Sequence, residues 1–335
     1  MIQMTHQKIT ITEIAQEAQV STATVSRYLN GKADLMSETT YKRVKKVINK
    51  YNYVPNTMAR QLKNKKKHIV AVSAADITDY FSIEMFKGIT AELEKHGFNT
   101  ILLNSANSPQ KEKQNILSFD TDLLAGLIIQ PLTNNLKFLK SEIKDDFPIV
   151  LLDREIPETN WSSIVTNNLQ ITRDACRYFK QQKNISKIIL VADESKNVST
   201  IKQRIAGIKE VYDDSELQII DSGKSKTSFT RAYKKLKQAI KQNPQTLIFA
   251  IKERWLIEIL PRLMYAGLIG KHQPTLMTGF SDSNLINIIN PTIKVIRQYP
   301  FKMGETAGKV LLKQLKKPDN SNFKRIEVPA SFDRD

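Results

Sequence analysis

From residue 69 onward, short apolar runs alternate with longer amphipathic stretches, and this alternation constrains the fold of the 335-residue chain more than any other feature. Residues 69–72, 100–103, 127–129, 148–152, 187–191, 246–250 and 274–280 are short and aliphatic, as strands buried on both faces are. Residues 81–96, 111–119, 169–182, 200–212, 228–243 and 255–266 between them are longer and space their apolar residues at helical period. Strand–helix repetition of this kind predicts an α/β fold of parallel sheets with right-handed crossovers. In such open sheets a ligand belongs at the carboxyl ends of the strands.

The first 68 residues read differently. They carry 13 Lys or Arg against 4 Asp or Glu, a net of +9 within a formal total of +17. A basic excess concentrated in one small region implies a polyanionic partner, and nucleic acid is the commonest. Thr10 and Glu13 have the spacing of a capping box, which starts a helix bearing Ile11, Ile14, Ala15 and Ala18. That helix should stop near Gln19, because Ser21 is placed to cap a second helix from Thr22 to about Asn30, with Val25 and Leu29 inward. Two short helices joined so tightly form a helix-turn-helix. In that motif the second helix enters the major groove. Thr22, Ala23 and Arg27 are then expected to read bases, and Thr10, Ser21, Thr24 and Ser26 to bond phosphates. A third helix, residues 37–51, closes the small core with Val44, Val47 and Ile48.

Several function classes are excluded. Cys176 is the only cysteine, so internal disulfides and cysteine-rich zinc sites are ruled out and a reducing, cytoplasmic setting is expected. Apolar runs fall short of the roughly 18 residues a membrane span needs, and the N-terminus lacks a secretory pattern. His6, His68, His96 and His272 lack metal-ligand spacing, no Gly-rich loop opens a helix, and Cys176 sits beside core-type Ala175 and Phe179. Neither an enzyme nor a cofactor or metal site is expected.

Residues 11–15 (ITEIA), residues 20–31 (VSTATVSRYLNG) and residues 53–56 (YVPN) resemble the signature of the lactose/galactose repressor family. The resemblance adds Asn30, Tyr53 and Asn56 to the DNA-binding set. It implies a hinge helix over residues 56–63 in the minor groove, with Ala59 and a wedged Leu62. A short helix of this kind would need a partner helix and DNA to hold it. The domain organisation implied is a helix-turn-helix domain at 1–55, a hinge and basic linker at 56–68, and an effector and dimerisation domain at 69–335. The last resembles periplasmic sugar-binding proteins: one doubly wound subdomain at 69–166 plus 297–317, a second at 167–294 plus the tail, and a cleft between them.

Within that resemblance, the expected effector-binding residues are Asp76, Tyr80, Phe81, Asp153, Arg154, Thr200, Arg204, Lys252, Glu253, Ser281, Asp282 and Gln298. Ser281 and the Lys252–Glu253 pair depart from the family's usual acids and Asn-Asp pair. Residues 26–32 and 36–38 look like the ketodeoxygluconate-repressor branch, which implies a sugar-acid effector such as 2-keto-3-deoxygluconate. The expected partners are a double-stranded palindromic operator, a small sugar or sugar acid, and a second copy of the chain in a dimer. No leucine heptad follows, so a tetramer is not expected. The alternative is a carbon-catabolite regulator whose corepressor is a phosphorylated carrier protein.

Overall fold

Each helix of the N-terminal unit starts and stops where side-chain chemistry requires it. The computed structural model describes residues 9–53, 67–133, 141, 143, 146–157, 159–192, 198–223, 226–317 and 323–332, and the chain divides into two compact units between Lys67 and His68. In the smaller unit, α1 (Ile11–Glu17), α2 (Thr22–Leu29) and α3 (Glu38–Lys50) enclose Ile14, Ala15, Ala18, Val25, Val44 and Val47. Thr10 and Glu13 form the reciprocal capping box, while Ser21 and Ser37 accept from the backbone N–H groups of Thr24 and Thr40. All three helices end in the same paired return bonds, Val20 to Ala15, Lys32 to Arg27 and Tyr53 to Ile48. Each needs one left-handed residue, and these are Gln19, Gly31 and Asn52.

The larger unit holds two parallel sheets. The first runs in the order β2 (Asn99–Asn104), β1 (Ile69–Ala74), β3 (Leu124–Ile129), β4 (Ile149–Leu152), β5 (Ser162–Val165) and β11 (Arg325–Glu327). The second runs β7 (Leu217–Asp221), β6 (Lys187–Ala192), β8 (Thr246–Ala250) and β9 (Leu276–Gly279). In both, the chain reverses its direction of winding beside the first strand, between β1 and β3 and between β6 and β8. Those two switch points are where open sheets leave a crevice.

Helices α4 (Tyr80–Glu94), α5 (Pro109–Leu117) and α11 (Pro300–Lys316) belong to the first lobe. Helices α6 (Asn168–Gln182), α7 (Ser199–Lys209), α8 (Lys226–Gln242), α9 (Glu253–Tyr265) and α10 (Leu285–Ile289) belong to the second. Separate apolar cores fill the two lobes. The closest helix contact joins α4 to α11, where a methyl group built on Gly88 would strike the Phe301 carbonyl oxygen and one on Gly304 the Met85 carbonyl oxygen.

The chain leaves the first lobe after β5 and returns at Gln298. It crosses again after β11, where a short antiparallel ladder pairs β10 (Ile296–Arg297) with β12 (Ser331–Phe332). The placement of the whole tail in the second subdomain therefore needs correction. β11 extends the first lobe's sheet because its edge pairs in register with β5, Arg325 opposite Ser163 and Glu327 opposite Val165.

Candidate nucleic-acid interface and effector cleft

α2 presents a surface suited to base reading. Val25 is fully buried and anchors the helix, which leaves Thr22, Ala23 and Arg27 exposed and Ser26 half-buried on the outer side. Ser21 Oγ accepts the Thr24 N–H at 3.2 Å and lies 2.9 Å from Thr24 Oγ1, so the cap is made within the protein and its remaining donors face outward. Thr10 is likewise tied to Glu13 at 2.7 and 2.9 Å. Asn30 caps the helix C-terminus and donates to Ser26 Oγ at 3.4 Å. Tyr53 packs half-buried against the small core, and burial raises its hydroxyl pKa. The flanking Lys42, Arg43, Lys45, Lys46 and Lys50 of α3 are exposed, although Lys42 pairs with Glu38 and Lys50 with Glu17. Asn56, Ala59, Leu62 and the expected hinge helix lie outside the described residues.

In the larger unit most of the expected cleft residues gather at the carboxyl ends of the strands. Arg204, on α7, is buried. It donates from Nε to Asn168 Oδ1 at 2.8 Å, from Nη1 to the Ile251 carbonyl at 2.6 Å and from Nη2 to Gln298 Oε1 at 3.0 Å. Its guanidinium carbon lies over the Phe280 ring, 3.5 Å from the centroid. Burial lowers its pKa to about 10, opposed by Asp153, Asp282 and Asp79 and assisted by the charge of Arg154. Arg204 therefore ties both lobes' crossovers together, with two of its five N–H groups left over.

From the first lobe, Asp153 sits just beyond β4 with left-handed backbone at φ 68° and accepts from Gln130 Nε2 at 2.9 Å. Gln130 also receives the Ala75 N–H and the Ser82 hydroxyl, which fixes its amide. Arg154 donates from Nη1 to the Pro131 carbonyl at 3.0 Å; its Nε is buried without a hydrogen bond, 3.5 Å from Asp153. Asp79 caps α4, accepting from Phe81 N at 3.2 Å. Burial raises its pKa, Lys252 across the cleft draws it back, and Asp153 and Glu253 push it up. Tyr80 is exposed, Phe81 packs partly into the lobe core, and Thr200 is buried at the start of α7.

Two of the expected cleft acids are engaged by their own lobes. Glu253 faces its own lobe: its carboxylate accepts from Ser281 Oγ at 2.6 Å, from the Ser283 hydroxyl, and from the N–H groups of Ser283 and Asp282 at 3.1 and 3.4 Å. These bonds fix the 281–283 loop, Ser281 included, against the start of α9. Asp76 is similarly spent on Thr78 and on Asn107 Nδ2 at 2.6 Å. Asp282 remains in the cleft; its Oδ1 accepts from the N–H groups of Gln298 and Tyr299, and burial raises its pKa to about 6. Gln130, Asn168 and Asp79 are the residues the sequence did not single out. Only the N-cap position of Asp79 carried a local signal, since the partners of Gln130 and Asn168 are remote in sequence.

No helix among the described residues is long and apolar enough to cross a membrane, and no cluster of His, Cys, Asp or Glu among them could hold a metal ion. Residues 10–56 match the family described as bacterial regulatory proteins, lacI family, and residues 70–319 match a periplasmic binding protein domain. The HTH-type transcriptional regulator KdgR of Bacillus subtilis is 28% identical over 330 residues, covering 96% of this chain and 95% of that protein. Catabolite control protein A of Staphylococcus aureus is also 28% identical, over 332 residues, with the same coverage. Among solved structures, a LacI transcriptional regulator from Lactobacillus brevis is 31% identical and covers 79% of this chain and 99% of its own, with a TM-score of 0.72. The lac repressor dimer bound to operator and an anti-inducer shares the fold at TM-score 0.77, 20% identity and coverage of 97% and 98%. Reader helix, doubly wound lobes and family matches agree over nearly the whole length, and the chain belongs to the lacI family of bacterial regulatory proteins as a DNA-binding transcriptional regulator.

Proposed function

We propose that this regulator is a repressor of carbohydrate-catabolism genes, binding a palindromic operator as a homodimer and answering to a small sugar acid such as 2-keto-3-deoxygluconate in the cleft. The observation that carries the effector class is Arg204, buried at the carboxyl ends of the strands with three of its N–H groups fixed by Asn168, Ile251 and Gln298 and two left over. A guanidinium fork held this rigidly, with donors to spare, suits a carboxylate. Asp79, Asp153 and Asp282 supply acceptors for sugar hydroxyls. The likeness to KdgR supports the same class.

Dimerisation is supported by apolar side chains left outside the core at α9 and α10, with Tyr265 97% and Ile288 76% exposed. Two copies related by a twofold axis would present two reader helices to two half-sites. Thr22, Ala23 and Arg27 read bases in this scheme, and the hinge residues Asn56, Ala59 and Leu62 follow the minor groove.

A thermal-stability screen with sugars, sugar acids and sugar phosphates tests the effector. A selective rise in melting temperature with 2-keto-3-deoxygluconate or a close relative supports the reading, because a ligand that binds only the native state stabilises it. The equal likeness to catabolite control protein A favours a second reading, in which a phosphorylated carrier protein is the corepressor. No shift with any small acid, together with a shift on adding that carrier, would replace the first reading with the second.

A further inference from the structure

The first turns of α7 reach across to the other lobe. Glu155 lies three residues beyond β4, in the loop that Asp153 opens with left-handed backbone. Its main-chain N–H donates to Ser199 Oγ at 3.0 Å, and its Oε2 accepts from Gln203 Nε2 at 3.2 Å. Ser199 and Gln203 are four residues apart and so share one face of α7. The other carboxylate oxygen accepts from Arg325 Nε at 2.7 Å. Arg325 stands on β11, at the edge of the first lobe's sheet, and its Nη1 also holds Glu327 at 3.1 Å. Glu155 is thus anchored to its own lobe by Arg325 and to the second lobe by two bonds. The residue after Gln203 is Arg204, so one helix carries both the cleft's central arginine and the contact between lobes.

We infer that Glu155, Ser199 and Gln203 form an interlobe clasp that favours the lobe arrangement seen here before any effector enters, and so sets how far a ligand can shift the lobes. This regulation rests on the reading of the cleft as the effector site. None of the three residues is among those assigned to the ligand, which separates the strength of the clasp from ligand contact. The Glu155 and Arg325 side chains are 27% and 48% exposed, so each bond is weak alone. Two together shift a two-state lobe equilibrium by about three- to tenfold.

The full chain tests this without ligand or DNA. Spin labels go on cysteines introduced at exposed Leu117 of α5 and exposed Lys241 of α8, one in each lobe; Cys176 is fully buried and takes no label. Gln203→Glu sets a second carboxylate against Glu155, and the distance distribution is expected to broaden toward longer separations, with Ser199→Ala giving a smaller change. Combining Gln203→Glu with Glu155→Gln restores a donor and an acceptor with reversed polarity, keeps an acceptor for Arg325, and should return the parent distribution. An unchanged distribution in Gln203→Glu, with the parent's circular dichroism and melting temperature, overturns the clasp. So does a double variant that is no closer to the parent than Gln203→Glu. Titration with 2-keto-3-deoxygluconate keeps the two readings apart. Labels that move with the substitution but not with this acid leave the clasp standing and count against the sugar acid alone.

Discussion

Gln19 occupies the left-handed region at φ 52°, at the one residue that turns the chain from α1 into α2. A side chain there works against the backbone, whereas glycine meets no such penalty. Gln19→Gly is expected to stabilise the reader unit by about 0.5–1 kcal/mol, read as a higher melting temperature; a drop would show that the glutamine side chain offsets its own strain. A second residue-scale effect belongs to Glu112, almost wholly buried on α5, where burial raises its pKa to about 7 against the Leu132 N–H bond and the charge of Arg154. The native state keeps a proton there that the unfolded chain releases from about pH 4.5, so stability falls as pH rises from 4.5 to 7 and levels off above. Glu112→Gln keeps an acceptor for Leu132. It should be more stable than the parent at pH 8, by on the order of 2–3 kcal/mol, and indistinguishable at pH 4 in urea titrations. A constant difference across that range would remove the assignment. The helix end near Gln19 was legible in the sequence, but no glycine marked its left-handed turn, and the Leu132 N–H that Glu112 accepts is twenty residues away.

At the scale of elements, local periodicity was enough wherever burial is two-sided. The central strands β1, β3, β6 and β8 and the helices between them lie where the apolar runs place them. The strands that escaped notice are edge or polar ones: β7 exposes Gln218, Ile219 and Asp221, β5 begins Ser162–Ser163, and β11 pairs only because the chain crosses back. The α4–α11 contact was equally silent, since a glycine inside a helix does not say which backbone it approaches. Gly88→Ala would press a methyl onto the Phe301 carbonyl and should destabilise the first lobe by about 1–3 kcal/mol in denaturant titrations; parental stability would mean that the two helices separate at no cost. In the reader, the capping residues Thr10 and Ser21 located the first two helices, and Ser37, placed at the start of the third, is its N-cap. Arg27→Ala should cost roughly 1–3 kcal/mol at one base pair and relax specificity there, which a comparison of operator variants measures. Equal loss on every duplex would reassign Arg27 to the phosphates.

For the whole molecule, the chain passes from the reader unit to the lobes between Lys67 and His68, and coupling between cleft and reader is measured in solution. The first requirement is the proposed dimer. Replacing Leu285 and Ile288 by Asp places charge on exposed apolar positions of α10 without touching either lobe core. Sedimentation should then show a monomer with the parent's far-ultraviolet spectrum and weakened operator binding; a persistent dimer would move the interface elsewhere. The second requirement is reciprocity. If closing the cleft on a sugar acid alters operator affinity by the 1–3 kcal/mol usual for allosteric coupling, about 5- to 150-fold, then operator DNA must alter the affinity for that acid by the same factor. Operator titrations with and without saturating 2-keto-3-deoxygluconate, set beside acid titrations with and without a saturating operator duplex, give the two factors independently. Equal factors away from one would tie binding of the acid to the reader. Factors of one in both directions, with the acid still stabilising the protein, would mean that the cleft binds this acid without signalling and that another ligand closes the lobes.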